Sequence, residues 1–120
     1  MAFEHEEAKR RFLGFLGLCK RAGRLISGTP MVCDALAGSK RPPLVLYAKG
    51  ASAASQKKIV CKCAFYGVRA EGLDVSPEEL AHAIGKTGAV AAVAVTDAGF
   101  AEAMVKKLSP EDGTKTSATN

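Results

Sequence analysis

Two stretches of the chain, Leu44-Val45-Leu46-Tyr47-Ala48 and Val90-Ala91-Ala92-Val93-Ala94-Val95, are apolar without alternation. A strand with one wet face alternates polar and apolar residues, so unbroken runs of this kind predict strands covered on both sides. Neither can cross a bilayer. The longest apolar run, Ala89 to Val95, has seven residues where a membrane helix needs about twenty.

The surrounding segments supply the cover. Phe12, Phe15, Leu16 and Cys19 recur at helical spacing, which predicts an amphipathic helix from Glu4 to Ala22 ended by Gly23, followed by a very short strand at Leu25 and Ile26. Thr29 suits an N-cap and Pro30 a first helical position, so a second helix carries Val32, Cys33 and Leu36 inward as far as Gly38. The Lys40-Arg41-Pro42-Pro43 break precedes the first apolar strand. From Ser52 a third helix places Ile59, Val60, Cys63 and Tyr66 toward the core, Lys58 and Lys62 on another side, and stops at Gly67.

Val68 to Glu71 can pair as a strand, and Ser76-Pro77-Glu78-Glu79 reads as a capping box opening a helix through Leu80 and Ile84 to Gly85. Asp97 or Thr96 caps a last helix with Phe100, Met104 and Leu108 inward. Helices alternating with doubly covered strands define an α/β fold, a three-layer α-β-α sandwich. At 120 residues the chain is expected to form one domain over residues 1–109, with a disordered polar tail at 110–120.

Catalytic and metal chemistry find little to build on. Cys19, Cys33, Cys61 and Cys63 read as free thiols of a cytoplasmic protein, because the N-terminus has no secretory pattern. Cys61 and Cys63 are two apart on a helix, about 200° from one another, and cannot close on one metal. Gly85-Lys86-Thr87 resembles the end of a phosphate-binding P-loop, but Leu80 stands where its first glycine belongs. His5 and His82 stand alone, so no general base is paired with a nucleophile. The reading is of no catalytic residue, no metal and no cofactor.

Charge is more telling. Twelve Lys and Arg lie between Lys9 and Lys62 against Asp34 alone, a net +11, so the rest of the chain carries −6 to reach the total of +5. Such asymmetry suits a partner rich in phosphate. With no Trp and few aromatics a stacking platform is not evident; Tyr47 and Phe65 are assigned to the core, and Lys57, Lys58 and Lys62 to a solvated helix face.

Residues Leu16 to Gly28 (LGLCKRAGRLISG), Lys57 to Val68 (KKIVCKCAFYGV), Ile84-Gly85-Lys86 and Val93 to Ala101 (VAVTDAGFA) together resemble the bacterial YlxQ proteins. These belong to the superfamily of kink-turn-binding ribosomal proteins that includes archaeal ribosomal protein L seven-Ae and eukaryotic ribosomal protein L thirty-e. The resemblance covers about Phe12 to Leu108 and implies the order αβαβαβαβα, with a four-stranded mixed sheet.

It further implies RNA binding at two adjacent elements, the glycine-led start of the second helix (Gly28, Thr29, Pro30, Met31 and Asp34) and the loop before the last strand (Gly85, Lys86, Thr87, Gly88, Ala89 and Val90). Lys20, Arg21, Arg24, Lys86 and Lys49 would position RNA by its phosphates. The strongest kink-turn binders read Gly-Thr-Asn-Glu at the helix start, with a lysine further along, and this chain has Pro30, Met31 and Asp34 there. The implied role is that of a monomeric, non-enzymatic protein of ribosomal or other structured RNA, without membrane contact. The alternative is a protein-interaction module that docks on ribosome or transcription machinery.

Overall fold

A computed structural model describes residues 6–108. It contains nine elements: α1 (Glu6–Arg21), β1 (Leu25–Ser27), α2 (Thr29–Ala37), β2 (Leu44–Ala48), α3 (Ala53–Tyr66), β3 (Arg69–Leu73), α4 (Pro77–Ala83), β4 (Ala92–Val95) and α5 (Ala98–Leu108). The polar tail at 110–120, and Glu4 and His5 at the other end, lie outside the described residues.

The four strands form one mixed sheet in the order β1-β4-β2-β3. β4 runs antiparallel to both β1 and β2, and β2 runs parallel to β3 through the α3 crossover. Leu44, Leu46 and Ala48 of β2 and Val93 and Val95 of β4 enter one core with Phe12, Leu16 and Cys19 of α1, Leu80 of α4, and Met104 and Leu108 of α5. Val45, Ala92 and Ala94 enter a second core with Val32 and Leu36 of α2 and Ile59 and Cys63 of α3. Alternate residues of β2 and β4 therefore go to different cores, which is why both strands are apolar throughout. The result is the expected α-β-α sandwich, with α1, α4 and α5 on one face and α2 and α3 on the other.

Local signals hold at most boundaries. The Ser76 hydroxyl accepts from the Glu79 N–H at 3.0 Å while Glu79 Oε1 accepts from the Ser76 N–H at 2.9 Å, completing the capping box. Asp97, not Thr96, caps α5 by accepting from the Phe100 N–H at 2.9 Å. Ser52 caps α3, and Gly67 ends it in the left-handed region at φ 70°.

Four expectations need correction. Gly28 rather than Thr29 caps α2, because its carbonyl already accepts from the Val32 N–H at 2.9 Å and its φ of 97° suits glycine. β4 starts at Ala92 rather than Val90, whose N–H donates to the Pro77 carbonyl. Val60 is 40% exposed on α3 instead of facing the core. Phe65 is 81% exposed: it lies two residues from buried Cys63, hence about 200° around the helix, on the side of exposed Cys61.

Candidate functional site

Antiparallel pairing fixes which loops meet. Ser27 at the end of β1 faces Val93 near the start of β4, and Tyr47 near the end of β2 faces Ala92. The connections leaving β1, β2 and β3 therefore gather where the chain enters β4. Successive carbonyls on the approach to β4 clamp two of them: Ala92 accepts from the Gly28 N–H at 2.9 Å and Ala91 from the Ala48 N–H at 2.9 Å. The start of α2 is thus hydrogen-bonded to the first residue of β4, directly after the 85–91 loop that was expected to be its neighbour.

Backbone at this end is open. Gly28, Gly85 and Gly88 all have positive φ, and a Cβ on any of them would meet nothing within 4 Å. Pro30, Met31, Lys86, Thr87, Gly88 and Ala89 are exposed, with Gly28 and Thr29 half-buried. The first turn of α2 leaves N–H groups without intrahelical acceptors, on Thr29 and Met31 but not on Pro30, which has none. Neither α2 nor α3 carries an acid in its first turn, so the positive ends of both helix dipoles are unmasked on the side where β1 and β2 end.

Lys49 stands at the same end. Its N–H donates to the Leu73 carbonyl at 2.9 Å, and the Gln56 side-chain amide donates to the Lys49 and Ala51 carbonyls at 3.1 and 2.9 Å, which holds the turn into α3. The Lys49 stem packs over Gly72, where a Cβ would come within 2.9 Å of it.

The remaining cations are divided. Lys20 and Arg24 lie where α1 passes into β1, at the opposite end of that strand: the Arg24 carbonyl accepts from the Thr96 N–H at 3.0 Å, and Leu25 faces Val95. The Cys19 thiol donates to the same carbonyl at 3.3 Å, and burial pushes this thiol up to about 11. Burial also pushes Cys63 up to about 11. Both stay protonated at neutral pH and pack as small apolar side chains. Arg21 turns another way. Its Nη1 stands 3.9 Å from where a Gly17 Cβ would be, a point itself 2.8 Å from the Ala83 carbonyl, so the guanidinium reaches the end of α4 from which the Gly85 loop departs.

Sequence reasoning missed the exposure of Val60 and, more fully, of Phe65. Phe65 was readable from the two-residue spacing that already separates Cys61 from Cys63. Among the described residues no three His, Cys, Asp or Glu side chains cluster as a metal site, and no helix is long and apolar enough to cross a membrane.

This architecture is shared with solved structures. A protein of unknown function from Bacillus halodurans C superposes with a TM-score of 0.73 at 29% identity, over 81% of this chain and 95% of that one. The Giardia lamblia 15.5 kD RNA binding protein superposes with a TM-score of 0.71 over 90% of each chain, at 14% identity, a likeness of fold alone. No family model matches the chain. In sequence, RNA-binding protein YlxQ of Bacillus subtilis (strain 168) is 38% identical over 93 residues, which span 78% of this chain and 90% of that protein. The chain belongs to the YlxQ family.

Proposed function

We propose that this chain is a non-enzymatic RNA-binding protein that holds ribosomal or other structured RNA, kink-turns included, at the end of the sheet where α2 begins and the 85–91 loop enters β4. The observation that carries the reading is the hydrogen bond from Gly28 to Ala92. It ties the open, glycine-led start of α2 to the first residue of β4, where the open 85–91 loop ends, so that a sharply bent phosphate backbone could approach both. The name of the Bacillus subtilis relative, RNA-binding protein YlxQ, supports the same conclusion.

Pro30 and Met31 lack the amide and carboxylate that would bond to base edges, and exposed Asp34 lies three residues beyond Met31 on the same side of the helix. Recognition then falls to backbone N–H groups at Thr29 and Met31 and to phosphate contacts from Lys86, Lys49 and Arg21, which read a bent shape more than a sequence. Lys20 and Arg24 would meet RNA extending past the far end of β1. The expected setting is a cytoplasmic monomer.

A mobility-shift titration against a kink-turn RNA and an unstructured control, repeated over salt, tests this. Salt-dependent binding with preference for the bent RNA is the expected result, and absence of salt-dependent binding to either RNA overturns it. Met31, 58% exposed beside Pro30, favours a second reading in which the tip docks on a protein of the ribosome or transcription machinery. Association with such a partner that survives nuclease treatment would distinguish that reading.

A further inference from the structure

We infer that the outer face of α3 is a second RNA-binding surface, on which Phe65 stacks an unpaired base while Lys58 and Lys62 hold the flanking phosphates. Phe65 is the most exposed large apolar side chain among the described residues, at 81%. Its ring is nonetheless braced. Tyr66 meets it edge-on, with centroids 4.9 Å apart and planes at 88°, and the Arg41 guanidinium sits 4.8 Å over the Tyr66 ring. Arg41 is anchored in turn, its Nε–H donating to the Leu36 carbonyl at 2.9 Å. A ring held in place before a ligand arrives loses little freedom when the ligand stacks on it.

The surroundings select the ligand. Lys58, Cys61, Lys62 and Phe65 follow at i, i+3, i+4 and i+7 and form one stripe about 100° wide along the helix. No acid occurs anywhere in Ala53–Tyr66 or in the Lys40-Arg41 turn beside it. The ion pairs among the described residues join Lys9 with Glu79, Arg11 with Glu7 and Arg69 with Glu71, so none engages Lys57, Lys58 or Lys62. A shallow cleft of about 300 Å³ lined by Cys61, Lys62, Phe65 and Tyr66 opens beside the ring. An aromatic ring whose charged neighbours on α3 are all cations suits a nucleobase and its phosphates.

The two surfaces are separate. Phe65 is twelve residues along α3 from Ala53, roughly 18 Å at the helical rise, and Ala53 is the end of α3 nearer the first site. An RNA that presents a folded element at the first surface and an unpaired tail at the second could touch both. The α3 surface does not depend on the first being an RNA site.

Its test reads the ring directly. The chain has no tryptophan, so Phe65→Trp places its one indole at the stacking position, excited to the red of the two tyrosines. Titration with a ten-nucleotide oligouridylate should quench its emission saturably, and a blunt RNA duplex should not. Adding Lys58→Glu and Lys62→Glu should weaken the oligouridylate at least tenfold, with a salt slope lower by about 1.4 for two lost phosphate contacts on a single strand. In the natural chain, Phe65→Ala should weaken oligouridylate binding roughly tenfold by fluorescence anisotropy. No quenching, quenching that survives the charge reversals, or equal quenching by the duplex would overturn the inference. A nuclease-resistant protein partner whose capture requires Phe65, with no quenching by oligouridylate, would overturn it in favour of a docking surface. Because the introduced indole reports only its own surroundings, failure of kink-turn binding at the first surface leaves this result readable.

Discussion

The Gly28 N–H donates to the Ala92 carbonyl at 2.9 Å while Gly28 itself sits at φ 97°, ψ 137°. That backbone state is open to glycine and strained for any residue bearing a Cβ, although the Cβ would meet no neighbouring atom within 4 Å. The conformation, rather than any clash, requires glycine here. Gly28→Ala is therefore expected to cost about 1–3 kcal/mol of stability. Urea unfolding would show it as a lower midpoint with an unchanged slope. RNA affinity measured where the variant is fully folded should also fall, because relieving the strain moves the start of α2 away from the 85–91 loop.

Phosphate contacts can be counted by salt. Lys86→Ala should weaken RNA binding and reduce the salt slope by about 0.9, the value for one contact on a duplex. Lys107→Ala is the control. Its ammonium lies 5.2 Å from the centroid of the Phe15 ring on the α1–α5 side, away from both proposed surfaces. Arg24→Ala should weaken binding to RNAs that reach past β1, and a loss at Lys86 with none at Arg24 would confine the contact to the Gly28 end of the sheet.

The strand cores were legible because doubly buried strands are apolar at every position, and Leu44–Ala48 falls on its predicted bounds. Helix ends with side-chain caps, Ser52 and Ser76, were equally readable. The start of α2 was not, since Gly28 caps with backbone alone and Thr29 offers a competing hydroxyl. The family resemblance singled out the Gly28 and Gly85 segments, and strand pairing sets Ser27, just before the first, opposite Val93, just after the loop that Gly85 opens. What composition could not convey was where each cation goes: one net charge over Lys9 to Lys62 hides that Arg24, Lys49 and Lys62 lie on different parts of the surface. Phe65 was misassigned by residue type, as an aromatic is usually buried, although its helical phase pointed outward.

The α1–α4 contact should give stability a dependence on pH. Lys9 Nζ lies 2.8 Å from Glu79 Oε2. The hydrogen bond from Lys9, followed by that from the Ser76 backbone, lowers the Glu79 carboxyl below its ordinary 4.5, and the bond to Glu79 raises Lys9 above its ordinary 10.5. A lowered acid contributes stability above its ordinary value and loses it as pH falls through the folded one. A raised base contributes below its ordinary value and loses it as pH rises through the folded one. The pair thus works fully between 4.5 and 10.5. Both groups are close to solvent, so the effect should be that of a surface pair, about 0.2–1 kcal/mol. Melting curves of the natural chain and Glu79→Gln should converge as pH drops below 4.5. Ser76→Ala, which removes the hydroxyl cap, should cost about 1 kcal/mol at neutral pH.

Two glycines on α1, three residues apart, should respond to the same substitution with opposite signs. Glycine inside a helix is less favourable than alanine by up to about 1 kcal/mol, so propensity alone favours alanine at both. Gly14 is exposed and an added Cβ would meet nothing within 4 Å. Gly14→Ala should accordingly raise the melting temperature. Gly17 is buried against α4, and its Cβ would stand 2.8 Å from the Ala83 carbonyl oxygen, a backbone atom that moves only if α4 moves. Gly17→Ala should therefore destabilise despite the gain in propensity, by about 1–3 kcal/mol, the usual cost of overpacking. It should also displace the end of α4 and with it the Gly85 loop, so RNA binding should weaken in Gly17→Ala and not in Gly14→Ala. Equal stabilisation by both substitutions would mean that α1 and α4 are not in this close contact, and the link from helix packing to the loop before β4 would fail.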